Sequence, residues 1–156
     1  MDYRHSDEAL VITAEATGWY AGRRPGSVDR DRPVIREGRE LRGRLLDYAA
    51  SIVELVDTLP KTTIAGRRIG DQLLRSATAV GANYEEARAA ESAADFIHKL
   101  QVALKELRES SYWLRLLLRV NMIAAGRVAP FLDESNQLIA ILSKSVLTAK
   151  RNRERK

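Results

Sequence analysis

The chain has no cysteine. Disulfides, thiolate zinc sites and cysteine nucleophiles are therefore excluded, and the absence fits a reducing compartment. Histidine is nearly absent too, with only His5 and His98. Asp95-Phe96-Ile97-His98 has carboxylate-x-x-His spacing, but bundle di-metal sites need such a turn on two helices and this chain has one. Gly-rich phosphate loops, Gly-x-Ser-x-Gly and His-Glu-x-x-His are all missing. No enzyme activity, metal or cofactor is expected. No apolar run approaches the roughly 18 residues of a membrane span. Near the N-terminus the longest such run is Ala9-Leu10-Val11-Ile12, preceded by acids and too short for a signal-peptide core. A cytoplasmic protein without a membrane partner is expected.

Aromatic residues make up only 6%, and the 4 prolines and 9 glycines are sparse beyond residue 40. That argues for helix over a strand-rich sandwich. What is plentiful is charge: 26 Lys and Arg against 21 Asp and Glu in 156 residues, a formal net +5. The excess is uneven. Residues 1–40 hold 7 basic and 8 acidic groups, whereas residues 150–156 hold 5 basic and 1 acidic. A basic tail can grip phosphates, and cations at a helix C-terminus also complement the helix dipole.

Three regions follow. Residues 1–35 form a partly ordered extension, punctuated by Gly18, Gly22, Pro25, Gly26 and Pro33. A short helix over Ser6 to Thr17 and docking of Trp19 and Tyr20 are its possible ordered parts. Residues 36–150 form the bundle, and 151–156 a basic C-terminal tail. In the bundle, Leu41, Leu45, Tyr48, Ile52, Leu55 and Leu59 step by 4 and 3 along one helix face until Pro60 stops it. This helix starts between Pro33 and Glu40. A second helix runs from about Ile64 to Ala89 with Ile69, Leu73, Ala77, Val80, Tyr84 and Ala87 inward. Its small central residues, Gly81 among them, permit close helix approach, although Gly81 can equally be merely tolerated. Ser92 and Asp95 have the spacing of a capping box. They open a third helix through Ile97, Leu100, Leu104, Leu107, Ser111, Leu114 and Leu118, ending near Val120, with Gly126 marking the break. The fourth helix runs from Val128 or Pro130 to Lys150, with Leu132, Ile139, Leu142, Val146 and Ala149 inward. Pro130 fits a first turn.

Four amphipathic helices with short connections predict an all-α, antiparallel up-down-up-down four-helix bundle. Several helices carry a second apolar edge: Val53 and Val56; Phe96, Val102 and Trp113; Leu138 and Ile141. One stripe suffices for a monomer, so a homo-oligomer is expected.

Antiparallel geometry also sorts the charges. A turn at residues 90–92 sets Arg75 opposite Glu106 or Glu109. Glu85, Glu86 and Glu91 cluster where solvation or cross-helix pairing is the simpler reading than acid–base chemistry. Lys61, Arg67, Arg68, Arg115, Arg119 and Arg127 gather at one pole, diluted by Asp57, Asp71, Asp133 and Glu134. With few aromatics there, contact with nucleic acid would run through phosphates and be salt-sensitive. Candidate binding residues are Arg67, Arg68, Arg115, Arg119, Arg127, Lys150, Arg151, Arg153, Arg155 and Lys156.

The segment Gln72-Leu73-Leu74-Arg75-Ser76-Ala77-Thr78-Ala79-Val80-Gly81-Ala82-Asn83-Tyr84-Glu85-Glu86-Ala87 resembles the central motif of the four helix bundle protein family, also called the 23S rRNA intervening-sequence protein family. Asp95-Phe96-Ile97-His98-Lys99-Leu100, Ala103-Leu104-Lys105-Glu106-Leu107 and Tyr112-Trp113-Leu114 resemble its third helix. The resemblance covers about residues 38–150 and is specific only in helices two and three. It implies a homopentamer and marks Gln72, Arg75, Gly81, Asn83 and Glu86 as structural motif positions, with cross-helix or intersubunit hydrogen bonds from Asn83 and Glu86. No catalytic residue carries over. Accessory proteins of diversity-generating retroelements look similar. They imply a basic pentamer that contacts RNA or DNA and a protein partner such as a reverse transcriptase. The expected function is a non-enzymatic, homo-oligomeric, nucleic-acid-associated accessory or scaffold protein, leaning to RNA. The alternative is a protein–protein interaction module that binds no nucleic acid.

Overall fold

The structure, a computed structural model, describes residues 41–155. The expected short helix over residues 6–17, the docking of Trp19 and Tyr20, the start of the first helix before residue 41, and Lys156 lie outside the described residues. Four helices follow in order: α1 (Leu41–Asp57), α2 (Ile64–Arg88), α3 (Ala93–Arg119) and α4 (Ala125–Glu154). Each lies beside its chain neighbour, and α4 returns to touch α1, closing an all-α up-down-up-down bundle. Of these four contacts between neighbouring helices, α2–α3 is the most extensive and α1–α4 the sparsest.

The 3-and-4 spacing accounts for this directly. Leu41, Leu45, Tyr48, Ile52, Leu55 and Leu59 are all buried, as are Leu73, Ala77, Val80, Tyr84 and Ala87 of α2. Ile69 is only half-buried. In α3 the stripe runs through Leu100, Leu107 and Leu114, then continues through Leu117 rather than Leu118. Each fully buried leucine contributes about 1.5–3 kcal/mol of hydrophobic stabilisation.

Helix α4 differs from expectation in where its stripe is centred. Val128, Phe131, Ser135, Leu138, Leu142 and Val146 are buried, while Leu132 and Ile139 sit at the margin. The two stripes share Leu142 and Val146, so periodicity alone does not choose between them. Leu138 is thus core and not a spare apolar edge. Phe96, Trp113 and Ile141 also pack partly against the core. Uncovered apolar side chains are fewer: Leu46 at 53%, Val53 at 42% and Leu147 at 56% exposure are among them.

Local chemistry sets the helix ends. Thr63 caps α2, its Oγ1 accepting from the Gly66 N–H at 3.0 Å. Ser92 caps α3 in the same way, accepting from the Asp95 N–H at 3.1 Å. The break after α3 is made by Asn121 and not by Gly126. Asn121 adopts a left-handed φ of 52°. Its N–H donates to Leu118 O at 3.1 Å, and the Met122 N–H donates to Leu117 O at 2.9 Å. Together these make a Schellman termination, for which Asn is the usual substitute for Gly. Helix α4 therefore begins at Ala125, earlier than expected, and Pro130 lies inside the helix, past its first turn. There its missing N–H removes one ladder bond. At the other end α4 runs through residues 151–154, so most of the basic tail is its last turn.

The close approach expected at Gly81 is found instead at Gly66, against the loop that follows α1. A β-carbon at Gly81 would meet nothing within 4 Å. One at Gly66 would lie 2.1 Å from the Pro60 carbonyl oxygen, where the α1–α2 turn folds under the helix. Gly66→Ala is expected to lower stability by about 1–3 kcal/mol through overpacking, and Gly81→Ala to raise it by about 1 kcal/mol. Denaturant unfolding of both variants checks the contrast.

One polar pair lies inside the core. The Tyr48 hydroxyl of α1 and Ser110 Oγ of α3 are 2.6 Å apart and buried. Burial pushes the Tyr48 phenol up to about 12, against the opposing Ser110 hydrogen bond and assisted by the negative charge of Glu134. A phenol raised in the folded state adds stability below its ordinary value near 10 and loses it as pH rises towards 12. Wild type is expected to lose stability across that window more steeply than Tyr48→Phe, as followed by chemical unfolding at stepped alkaline pH. Parallel profiles would contradict this.

Candidate nucleic-acid interface

The register between α2 and α3 places the motif residues. Arg75 reaches both expected partners: its Nη2 donates to Glu109 Oε1, and its Nη1 lies 3.6 Å from Glu106 Oε2. Gln72 Oε1 braces the same guanidinium, accepting from Arg75 Nε at 3.3 Å. Further along, Lys99 donates to Glu86, which holds the ammonium above its ordinary value. Asn83 does not reach another helix. Its Nδ2 donates to Ala79 O at 2.8 Å within α2. Glu85 pairs with Arg42 of α1 at 2.6 Å and with Arg88 at 3.2 Å. Glu85 and Glu86 are thus engaged in helix-to-helix pairing, whereas Glu91 lies beyond α2 and has no ion pair among the described residues.

Burial raises the Glu109 carboxyl, but hydrogen bonds from Trp113 and Arg75 and the positive charges of Arg75 and Lys105 outweigh it, leaving it below its ordinary value. The Trp113 Nε1–H donates to Glu109 Oε1 at 3.2 Å.

A stronger ionic contact joins α1 to α4. The Arg44 guanidinium grips Glu134 through two bonds, Nε to Oε1 and Nη2 to Oε2, each 2.9 Å. Nη2 also donates to Gln137 Oε1 at 2.9 Å. Glu134 is only 3% exposed and Arg44 19%. The hydrogen bond to Glu134 holds the guanidinium above its ordinary value, against desolvation and with added Coulomb attraction. Glu134 therefore does not dilute the basic pole; it is buried against α1. Sequence pattern misses this pair because the two residues are far apart in the chain and belong to helices joined by no direct turn.

The pole itself is assembled. Arg127 of α4 donates through Nη2 to Thr58 Oγ1 at 3.2 Å, and Arg67 donates through Nη1 to the Lys61 carbonyl at 2.8 Å. These two bind loop atoms and keep their charge unpaired among the described residues. Lys61 is paired with Asp57 at 2.9 Å. Arg68, Arg115 and Arg119 are exposed. At the opposite pole, Arg151, Arg153 and Arg155 are exposed and Lys150 is half-buried. The two groups of candidate cations are therefore separated by the length of the bundle.

Two further cations belong with them. His98, Gln101, Lys105, Arg108, Tyr112, Arg115 and Arg119 follow steps of 3 and 4 and are all exposed. They form the outward face of α3, with Lys105 and Arg108 joining Arg115 and Arg119 in one basic row. None of these four makes an ion pair among the described residues. Glu106 and Glu109 lie on the flank towards Arg75. The signal was in the spacing, since the row is the complement of the leucine stripe.

Comparison with known proteins adds three findings. The family model described as 23S rRNA-intervening sequence protein matches residues 42–144. A crystal structure of a protein of unknown function from the S23 ribosomal protein family of Bacteroides thetaiotaomicron VPI-5482 is similar at 35% identity and a TM-score of 0.62. The match covers 68% of this chain and 97% of that one. No curated protein matches.

The two ionic contacts should differ in weight. Arg44→Met leaves Glu134 buried without a counter-charge and is expected to cost about 3–5 kcal/mol. Arg75→Met removes a half-exposed partner and is expected to cost about 1 kcal/mol or less. Reversal of Arg75 or Glu109 alone should destabilise, and reversal of both should recover most of the loss. Thermal unfolding of the five variants measures this; equal losses at Arg44 and Arg75, or no recovery in the double reversal, would contradict it.

Proposed function

The chain belongs to the 23S rRNA-intervening sequence protein family, and on that premise we propose that it is a non-enzymatic, homo-oligomeric accessory or scaffold protein that binds nucleic acid, RNA above all, through phosphate contacts. The observation that carries this reading is the segregation of charge. The carboxylates Glu85, Glu86, Glu109 and Glu134 are each paired with a cation from a neighbouring helix. Lys105, Arg108, Arg115, Arg119, Arg151, Arg153 and Arg155 are exposed. A surface of unpaired cations on a rigid frame attracts polyanions by counterion release and without sequence preference. The family's name ties its members to ribosomal RNA genes, which favours RNA as the polyanion.

Assembly as a homo-oligomer, with a pentamer as the working size, is supported by Leu46 and Val53, two exposed apolar residues one heptad apart on α1, and by Leu147 on α4. Repetition around a ring would raise the weak charge of one chain about fivefold and present several basic surfaces at once. The same apolar residues favour the second reading, a protein–protein interaction module. A cytoplasmic location completes the proposal.

Titration of generic RNA against salt separates the two readings, with assembly read by sedimentation in the same samples. The nucleic-acid reading expects tight binding near 50 mM salt that weakens by orders of magnitude towards 200 mM, as release of several counterions requires. Absence of binding at low salt leaves the interaction module. A monomer at micromolar concentration overturns the oligomer.

A further inference from the structure

The outward face of α3 carries more than charge. Tyr112 stands in the middle of the row, between Arg108 and Arg115, and is 52% exposed. Leaving a tyrosine ring in water gives up apolar burial that the bundle offers its neighbour Trp113. The ring is also held in place. Arg75 fixes Glu109, Glu109 accepts from the Trp113 indole, and Trp113 meets Tyr112 at a centroid distance of 5.0 Å and an interplanar angle of 74°. An edge contact of this kind uses at most one face of the Tyr112 ring. With 52% of Tyr112 exposed, about half of the residue is left to solvent, beside a chain of contacts that begins on α2.

We propose that the outward face of α3 is a binding rail for single-stranded nucleic acid, with Lys105, Arg108, Arg115 and Arg119 holding phosphates and one base stacking on Tyr112. This rests on the nucleic-acid reading above and specifies its surface and its ligand. Lys105 to Arg119 spans about 21 Å of helix, the scale of the smaller single-strand sites, which hold about 4 nucleotides. Cations tracking a backbone with an aromatic platform among them are the usual means of holding a single strand without reading its sequence. A duplex keeps its bases stacked on one another, so it can use the cations but not the tyrosine. An arrangement built for duplex phosphates alone would have no use for a braced, exposed ring. The carboxylates Glu106 and Glu109 lie on the flank, where Arg75 offsets part of their negative charge.

The test uses the full chain, a short fluorescent poly-uridine strand, and an RNA duplex of the same length. Wild type is expected to bind the strand more tightly than the duplex. Tyr112→Ala should weaken strand binding at least about fivefold, the lower limit of one stacked base, and leave duplex binding unchanged. Tyr112→Phe should bind as wild type does, because stacking needs the ring and not the hydroxyl. Lys105→Gln with Arg108→Gln should weaken both ligands and reduce the salt slope by about 2. All these side chains are exposed or on the surface, and circular dichroism confirms that each variant is folded. Equal affinity of Tyr112→Ala and wild type for the strand, or a duplex bound as tightly as the strand, overturns the stacking platform. If wild type binds but the Lys105 and Arg108 variant binds equally well, the rail fails while the broader reading stands, and the pole or the end of α4 carries the contact. If wild type binds neither ligand at low salt, both fail.

Discussion

The bundle depends on closing its last helix onto its first. Consecutive helices are joined by short turns and find one another readily. Helices α1 and α4 have no such connection, and theirs is the sparsest of the four contacts that close the bundle. Across it lies the bidentate fork of Arg44 on Glu134, extended to Gln137. A nearly buried carboxylate must be paired, and a fork of two parallel bonds tolerates little sliding. The pair therefore sets the register of α4 against α1.

Several other carboxylates are also drawn into helix-to-helix pairs. Glu85, Glu86, Glu109 and Glu134 each meet a cation on another helix. Lys105, Arg108, Arg115 and Arg119 of α3 and Arg151, Arg153 and Arg155 at the end of α4 have no such carboxylate among the described residues and stand in solvent. The modest net charge of +5 conceals this separation. A sum over the chain counts internal pairs and external cations alike, whereas a polyanion meets only the external ones. The chain Arg75–Glu109–Trp113–Tyr112 shows the two roles linked, since an internal pair steadies a residue on the outer face.

Much of the fold is legible in the sequence because each helix has one dominant apolar stripe. The turn near residue 91 also fixes which residues of α2 and α3 face each other, so Arg75 opposite Glu106 and Glu109 follows from position alone. Other features depend on information that periodicity does not hold. Stripes through Leu132 and through Leu138 fit α4 equally until its neighbours decide. Gly81 and Gly66 look alike as helix glycines, yet only Gly66 lies under a carbonyl. Asn121 ends α3 by a backbone conformation that many residues can be forced into but few prefer. Arg44 and Glu134 meet only after the whole bundle has closed. Of the proposed binding surface, the cations at the pole are legible as a group, whereas Lys105, Arg108 and Tyr112 emerge once the outward face is separated from the flank.

On the proposed reading the bundle is a frame whose helix-to-helix ion pairs leave the outward face of α3 to a polyanion. The most direct measurement of that claim is ultraviolet cross-linking of bound RNA, with the attached peptides identified by mass spectrometry. Cross-links concentrated between residues 101 and 119, with Tyr112 among the modified residues, are the expected result. Cross-links confined to α1 or α2, with none on α3, would contradict it.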